Sequence, residues 1–184
     1  MNEALRNLLT RRSIRSYKDT PVPDELLEEV IRTGLTAPSA MNGQPWHISV
    51  VRKKEDIDRM VDCIRGYLRA NGDAARADDP SFHTFYHAPA VLYISSEDAN
   101  EKFGVSDCAN LTTYLCLAAH AVGLGSCYIA SSNMMFLSEQ ADEMRALLKI
   151  PDGFTPRFAI AIGYPDGPEP EMRERRAGTV SYAD

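Results

Sequence analysis

The chain predicts a sheet packed between helices, of the α/β or α+β class. Apolar runs of strand length stand at 47–52, 88–95 and 158–164, and a shorter one at 127–130. They alternate with longer segments in which apolar residues recur every three to four positions, the spacing of one helix face. No repeat, low-complexity tract or change of composition divides the 184 residues, so a single domain over 1–184 is expected.

Composition narrows the function. The 44% apolar and 25% charged shares are those of an ordinary soluble domain with a full core. A net charge of −6 argues against a general nucleic-acid or anionic-membrane binder. No basic-then-apolar leader opens the sequence, and no apolar run approaches the ~20 residues that span a bilayer. Cys63, Cys108, Cys116 and Cys127 form no C-x-x-C pair, and the four histidines show no ligand spacing. A reduced, cytoplasmic protein with free thiols and no structural zinc is expected.

Residues 2–10 read as a short amphipathic helix, capped by Asn2 and led by Glu3, with Leu5, Leu8 and Leu9 on one face. Thr10-Arg11-Arg12-Ser13-Ile14-Arg15-Ser16-Tyr17 follows. Extended backbone would set Arg11, Ser13 and Arg15 on one side. Guanidinium forks suit phosphate oxygens, so the stretch reads as an anion clamp; taken alone, its charge cluster favours a solvated basic turn between two helices. Thr20-Pro21-Val22-Pro23 is a stiff connector. A second helix begins with Asp24 and Glu25, carries Leu26, Leu27, Val30, Ile31 and Leu35, and ends near Gly34. Pro38 to Trp46 is a stiff, donor-rich loop that cannot be regular structure.

A strand over 47–52 precedes a helix from about Glu55 to Leu68, with Ile57, Met60, Val61, Ile64 and Leu68 inward. Residues 71–80 show no periodicity and are expected to form a mobile loop or lid. Ala88 to Ser95 reads as a buried strand. Asp107 to Val122 is the longest helix signal, apolar on most faces, with Asp107 near its start and Gly123 as its cap. Residues 137–149 give another helix, with Leu137, Met144, Leu147 and Leu148 inward. Phe158–Tyr164 is a last buried strand. Pro165, Pro168 and Pro170 then open an extended tail over 165–184 that bears Arg173, Arg175 and Arg176.

The common catalytic signatures are absent. No G-x-G-x-x-G follows the first strand, and there is no P-loop and no G-x-S-x-G elbow. The chemistry is therefore expected from a bound, phosphate-bearing cofactor rather than from a protein nucleophile.

Five stretches, in order, resemble the nitroreductase family of FMN flavoproteins. They are Arg11-Arg12-Ser13-Ile14-Arg15, Ala37 to His47, Phe85-Tyr86-His87-Ala88-Pro89, Asp107 to Ile129, and Ile162-Gly163-Tyr164-Pro165 with its arginine-bearing tail. The resemblance implies an α+β fold, a mixed sheet flanked by helices, in an intertwined homodimer whose tail crosses to the partner. It implies FMN at the subunit interface and NADH or NADPH as donor. A ping-pong cycle then delivers electrons to a nitroaromatic, a quinone or a similar small acceptor. A flavin-binding module without turnover and other chemistry of the family, such as reductive dehalogenation, are the alternatives.

Carried over by position, Arg11, Arg12, Ser13 and Arg15 would hold the phosphate and ribityl chain and reach the ring. Arg173 and Arg175 would complete the phosphate site. Pro38, Ser39, Ala40, Met41, Asn42 and Gln44 would come from the partner subunit, and Tyr128, Ile129 and Ala130 would line the isoalloxazine. The resemblance assigns no catalytic side chain and no metal. The chain departs from the family in two places. Ala130-Ser131 stands where many members have Gly-Gly, and 71–87 contains no lysine to reach the flavin. Arg69, Arg76 and His83 are the candidates to replace it.

Overall fold

The computed structural model describes residues 1–183; Asp184, the last position of the expected tail, lies outside the described residues. The elements run α1 (Glu3–Thr10), α2 (Asp24–Gly34), a 3-10 turn (Ala40–Asn42), β1 (Trp46–Val51), α3 (Lys54–Ala70) and a single helical turn α4 (Ala74–Ala77). They continue with β2 (Ala90–Glu97), α5 (Glu101–Ala121), β3 (Gly125–Ile129), a 3-10 segment (Ser131–Leu137), α6 (Ala141–Leu147) and β4 (Phe154–Gly163).

The strands form one sheet in the order β1-β2-β4-β3, each neighbour antiparallel. The parallel component is an isolated bridge between Ser13 and Ser126. Period-two alternation gives the sheet two apolar faces. Val91, Tyr93, Ala159, Ala161, Cys127 and Ile129 face one way and pack with Ile57, Met60, Val61, Ile64 and Leu68 of α3. Leu92, Ile94, Ile160 and Ile162 face the other way, against α2 and the Leu111, Leu115 and Ala119 row of α5. A helix apolar nearly all round needs cover on most sides, and α5 finds it under the sheet and α2. Gly34 allows that approach, since a Cβ there would collide with Leu115 Cδ2. The register slips between Ile94 and Ser95, where Pro156 stands opposite without an N–H to donate.

Three local readings change. First, α5 begins at Glu101, so Asp107 sits inside the helix rather than at its dipole, and it is buried. Second, the helix expected over 137–149 divides into the 3-10 segment and α6. Leu137 is 69% exposed rather than inward, while Met144 and Leu148 are buried as expected. Third, 71–80 contains the helical turn α4 and is tethered at Ala77, its other residues being exposed. Arg65 donates to Ala77 O and Phe82 O, Arg69 pairs with Asp78 at 2.8 Å, and Ala77 is fully buried.

The first helix forms as its residues dictate, with Asn2 Oδ1 accepting from Leu5 N at 2.9 Å. Asn7 donates to Leu117 O, and Thr10 shares a 2.8 Å hydrogen bond with His120, so α1 docks on the end of α5. Leu5, Leu8 and Leu9 remain exposed. All four cysteines are free and buried. Among the described residues, no helix is long and apolar enough to cross a membrane.

Candidate functional site

The arginine segment leaves α1 and runs across the start of β3. Ile14 N donates to Ser126 O at 3.0 Å, and Lys18 N donates to Tyr164 O at 2.9 Å. Ile14 lies so close to β3 that a Cβ at Gly125 would come within 2.8 Å of Ile14 Cγ1. Tyr17 is buried and donates to Ile14 O at 2.7 Å. Its phenol titrates far above the ordinary range, chiefly through desolvation. These contacts fix the backbone that carries Arg11, Arg12, Ser13 and Arg15.

The four side chains have different surroundings. Arg11, Arg12 and Ile14 line a cavity of about 260 Å³ with His120, Gly123, Leu124, Gly125, Ser126 and the start of the tail. Among the described residues, Arg11 has no carboxylate partner. Arg12 is partly spent: Nη1 donates to Leu9 O at 2.7 Å and Arg11 O at 2.9 Å, closing the C-terminus of α1. Among the described residues, its Nε is buried without a partner. The Ser13 backbone bridges to Ser126. Arg15 is exposed, with its guanidinium 5.8 Å from the Tyr86 ring centre. Hydrogen bonding to Tyr86 holds its pKa above the usual arginine value. Burial raises the Cys127 thiol, against the pull of Arg15 and Arg11, so that sulfur stays protonated and inert.

Tyr86 was not singled out as a ligand by the sequence reading, yet of region 69–87 it is the side chain placed against Arg15. Arg69 is held by Asp78, and Arg76 lies over Phe82 at 4.9 Å. His83 turns the other way. Its Nδ1 accepts from Phe85 N at 3.2 Å and His87 N at 3.1 Å, and burial lowers its pKa to about 4. It is therefore neutral at pH 7, and Asp58, 4.0 Å from Nε2, forms no ion pair with it.

The Pro38–Gln44 loop lies at the other end of α5. Met41, Asn42 and Gln44 have φ of 51°, 56° and 47°, and Tyr86 and His87 have 55° and 57°. Left-handed backbone in a residue with a side chain costs roughly 1–2 kcal/mol, and such strain gathers at functional segments. Five of the six non-glycine residues of this kind fall in these two stretches. The loop is braced from within: Ser39 Oγ accepts from Gln44 N at 3.0 Å, and Gln44 Nε2 donates to Asn42 Oδ1 at 3.3 Å. Helix α5 braces it from outside, through Asp107 and Asn110. Met41 is 89% exposed.

One chain does not bring all the named residues together. Asp107, under the loop, and His120, beside the arginine segment, are both on α5. At 1.5 Å per residue they are about 20 Å apart along the axis. Tyr128 is 38% exposed and meets Phe158 edge-on at 4.9 Å, whereas Ile129 points into the core. The Ile129 side chain therefore lines no surface, because β3 alternates and Tyr128 has the open side. Ala130 is exposed at the strand's end. Arg173 and Arg175 lie on the exposed tail and do not line the arginine cavity, whose tail-side wall is Pro165, Gly167 and Glu169.

Sequence reasoning missed His120, Asn110 and the role of Asp107. Only for Asp107 was there a local signal: an acid on the helix stripe otherwise occupied by apolar residues.

Comparison with known proteins identifies the family and the fold. The nitroreductase family model matches residues 8–164. A Methanothermobacter thermautotrophicus protein, assigned by name as an NADH dehydrogenase/NAD(P)H nitroreductase, is 31% identical over 166 residues, covering 89% of this chain and 78% of that protein. A Bacteroides fragilis nitroreductase with bound FMN has the same fold at a TM-score of 0.91 and 24% identity, over 100% of both chains. A Desulfitobacterium hafniense nitroreductase with bound FMN gives 0.90 and 25%, again over 100% of both. With the family model spanning most of its length and every layer of its fold matched, this chain belongs to the nitroreductase family.

Proposed function

We propose that the protein is an FMN-dependent oxidoreductase that carries electrons from NADH or NADPH to a nitroaromatic, a quinone or a similar small acceptor in a ping-pong cycle. The observation that carries this reading is the pair Arg11 and Arg15. They are cations without carboxylate partners among the described residues, fixed along the edge of β3 in a chain of net charge −6. A monoester phosphate brings nearly two negative charges and three acceptor oxygens. The free Arg11 guanidinium, the orphaned Arg12 Nε and Ser13 are donors of the right kind to hold it and the ribityl chain.

Arg15, steadied by Tyr86, would sit at the ring and place fixed positive charge where negative charge accumulates on reduction. Tyr128 and Ala130 would line the ring, with Ile129 contributing backbone. When bound, FMN supplies the redox chemistry, taking a hydride from the nicotinamide and releasing electrons to the acceptor in a separate half-reaction. The protein binds and orients; no side chain is assigned as catalytic.

The 20 Å between the arginine segment and the Pro38–Gln44 loop favours a homodimer, in which the loop of one protomer meets the arginine segment of its partner. The exposed Leu5, Leu8 and Leu9 of α1 and Val105 and Tyr114 of α5 supply apolar surface for that contact. The tail over 165–184, with Arg173 and Arg175, would cross to the partner and add charge to the phosphate site.

An anaerobic absorbance spectrum, taken before and after NADH and then NADPH, tests the proposal. Flavin bands that bleach are expected. Bands that persist with both donors would leave a flavin module without turnover, and no flavin after soaking with FMN would overturn the reading.

A further inference from the structure

Asp107 is 3% exposed, in the middle of a helix, and faces no cation within salt-bridge distance among the described residues. A carboxylate in such a place carries a desolvation cost that an apolar residue on the same stripe would avoid. Among the described residues, its hydrogen-bond donor is a single backbone amide. Ala40 N lies 3.1 Å from Oδ1 and 3.2 Å from Oδ2.

One helical turn further along α5, Asn110 Nδ2 donates to Pro38 O at 3.3 Å. The helix thus grips the loop backbone by one N–H and one C=O, two residues apart. Ala40 is the residue before the left-handed pair Met41 and Asn42. Ser39 Oγ is occupied by Gln44 N, so the loop's own bonds tie it to itself, and the α5 clamp ties it to the fold.

We propose that Asp107 is a positioning residue for the cofactor. It fixes the Pro38–Gln44 loop in its strained form, so that the loop is already shaped for the flavin held across the interface; Asn110 is its auxiliary. This rests on the FMN reading above. Preorganisation of this kind appears as affinity, because a loop that must be ordered on binding subtracts from the contacts it makes.

The test compares wild type with Asp107→Ala, Asp107→Asn and Asn110→Ala, using FMN itself as the probe. Three quantities are measured: FMN dissociation by flavin fluorescence, the reduction potential of the bound flavin, and the Tm of the FMN-stripped protein. Asp107→Ala is expected to weaken FMN binding about tenfold or more and to shift the potential. Asp107→Asn keeps an acceptor for Ala40 N and should return affinity to within about threefold of wild type, with Asn110→Ala in between.

An Asp107→Ala protein that folds, with a lower Tm but unchanged affinity and potential, would make Asp107 a purely structural residue and overturn the proposal. If that variant does not fold, Asn110→Ala decides, because its side chain is exposed; wild-type affinity and potential there overturn it. Wild-type protein that takes up no FMN defeats the functional reading itself, and is recognised before any variant is made.

Discussion

At Arg15, an exposed cation stands beside an aromatic ring, and its field reaches the buried Cys127 thiol. Arg15→Ala is expected to weaken FMN binding by about 1.5–3 kcal/mol, the span of a lost charge-assisted contact. Fluorescence titration of the apoprotein measures it, and undiminished flavin retention would remove Arg15 from the site. Arg15→Lys keeps the charge but loses the planar fork of donors beside Tyr86, so it should recover only part of the loss. His83 supplies a prediction of a different kind. Its pKa is about 4 in the folded protein, against about 6.5 in an unfolded chain. Between those values the unfolded chain holds the extra proton, so stability should decline as pH falls from about 6.5 towards 4. A Tm profile across that range should flatten in His83→Asn, which retains an acceptor for the two backbone amides. An unchanged slope would place the acid sensitivity elsewhere.

Among the elements, β3 and the arginine segment depend most closely on each other. Gly125→Ala puts a Cβ 2.8 Å from Ile14 Cγ1, and the segment must move to admit it. A cost of about 1–3 kcal/mol is expected by denaturant unfolding, together with weaker FMN binding as Arg15 is displaced. Full stability and affinity would show that the approach of Ile14 is not required. Much at this scale was legible in the sequence. Asn2 before Glu3 announced α1, the i, i+3, i+4 spacing of Ile57 to Leu68 announced α3, and Gly123, with φ of 81°, announced the end of α5. The start of α5 was not legible. Residues 101–106 are mostly exposed and carry no apolar period, and they join the helix because Gly104 packs against Ser96 on the sheet, a contact no local window contains. Leu137 failed for a related reason: the 3-10 segment turns it outward while Met135 takes the buried place.

For the whole molecule, the candidate site divides into two halves at opposite ends of α5, and this gives a test by complementation. Arg15→Ala damages one half and Asn42→Ala the other. In mixed dimers of the two variants, if the proposed homodimer forms, one site carries both lesions and the other carries none. Half the wild-type flavin content, bound at wild-type affinity, is therefore expected. Uniformly weakened binding would mean that each chain builds its own site.

The sequence by itself determined the four strands, the helices α1, α2 and α3, the two apolar faces of the sheet and the arginine segment as the place of charge. These follow from periodicity and residue chemistry within a few positions. The tertiary structure decided which of the named residues share a surface. It spent part of Arg12 on the carbonyls of α1, turned Ile129 into the core, set Tyr86 against Arg15 and left Arg173 and Arg175 out on the tail. It also gave Asp107 its partner 67 positions away. Side-chain partnership across such separations is set by how the layers pack, and no local pattern encodes it.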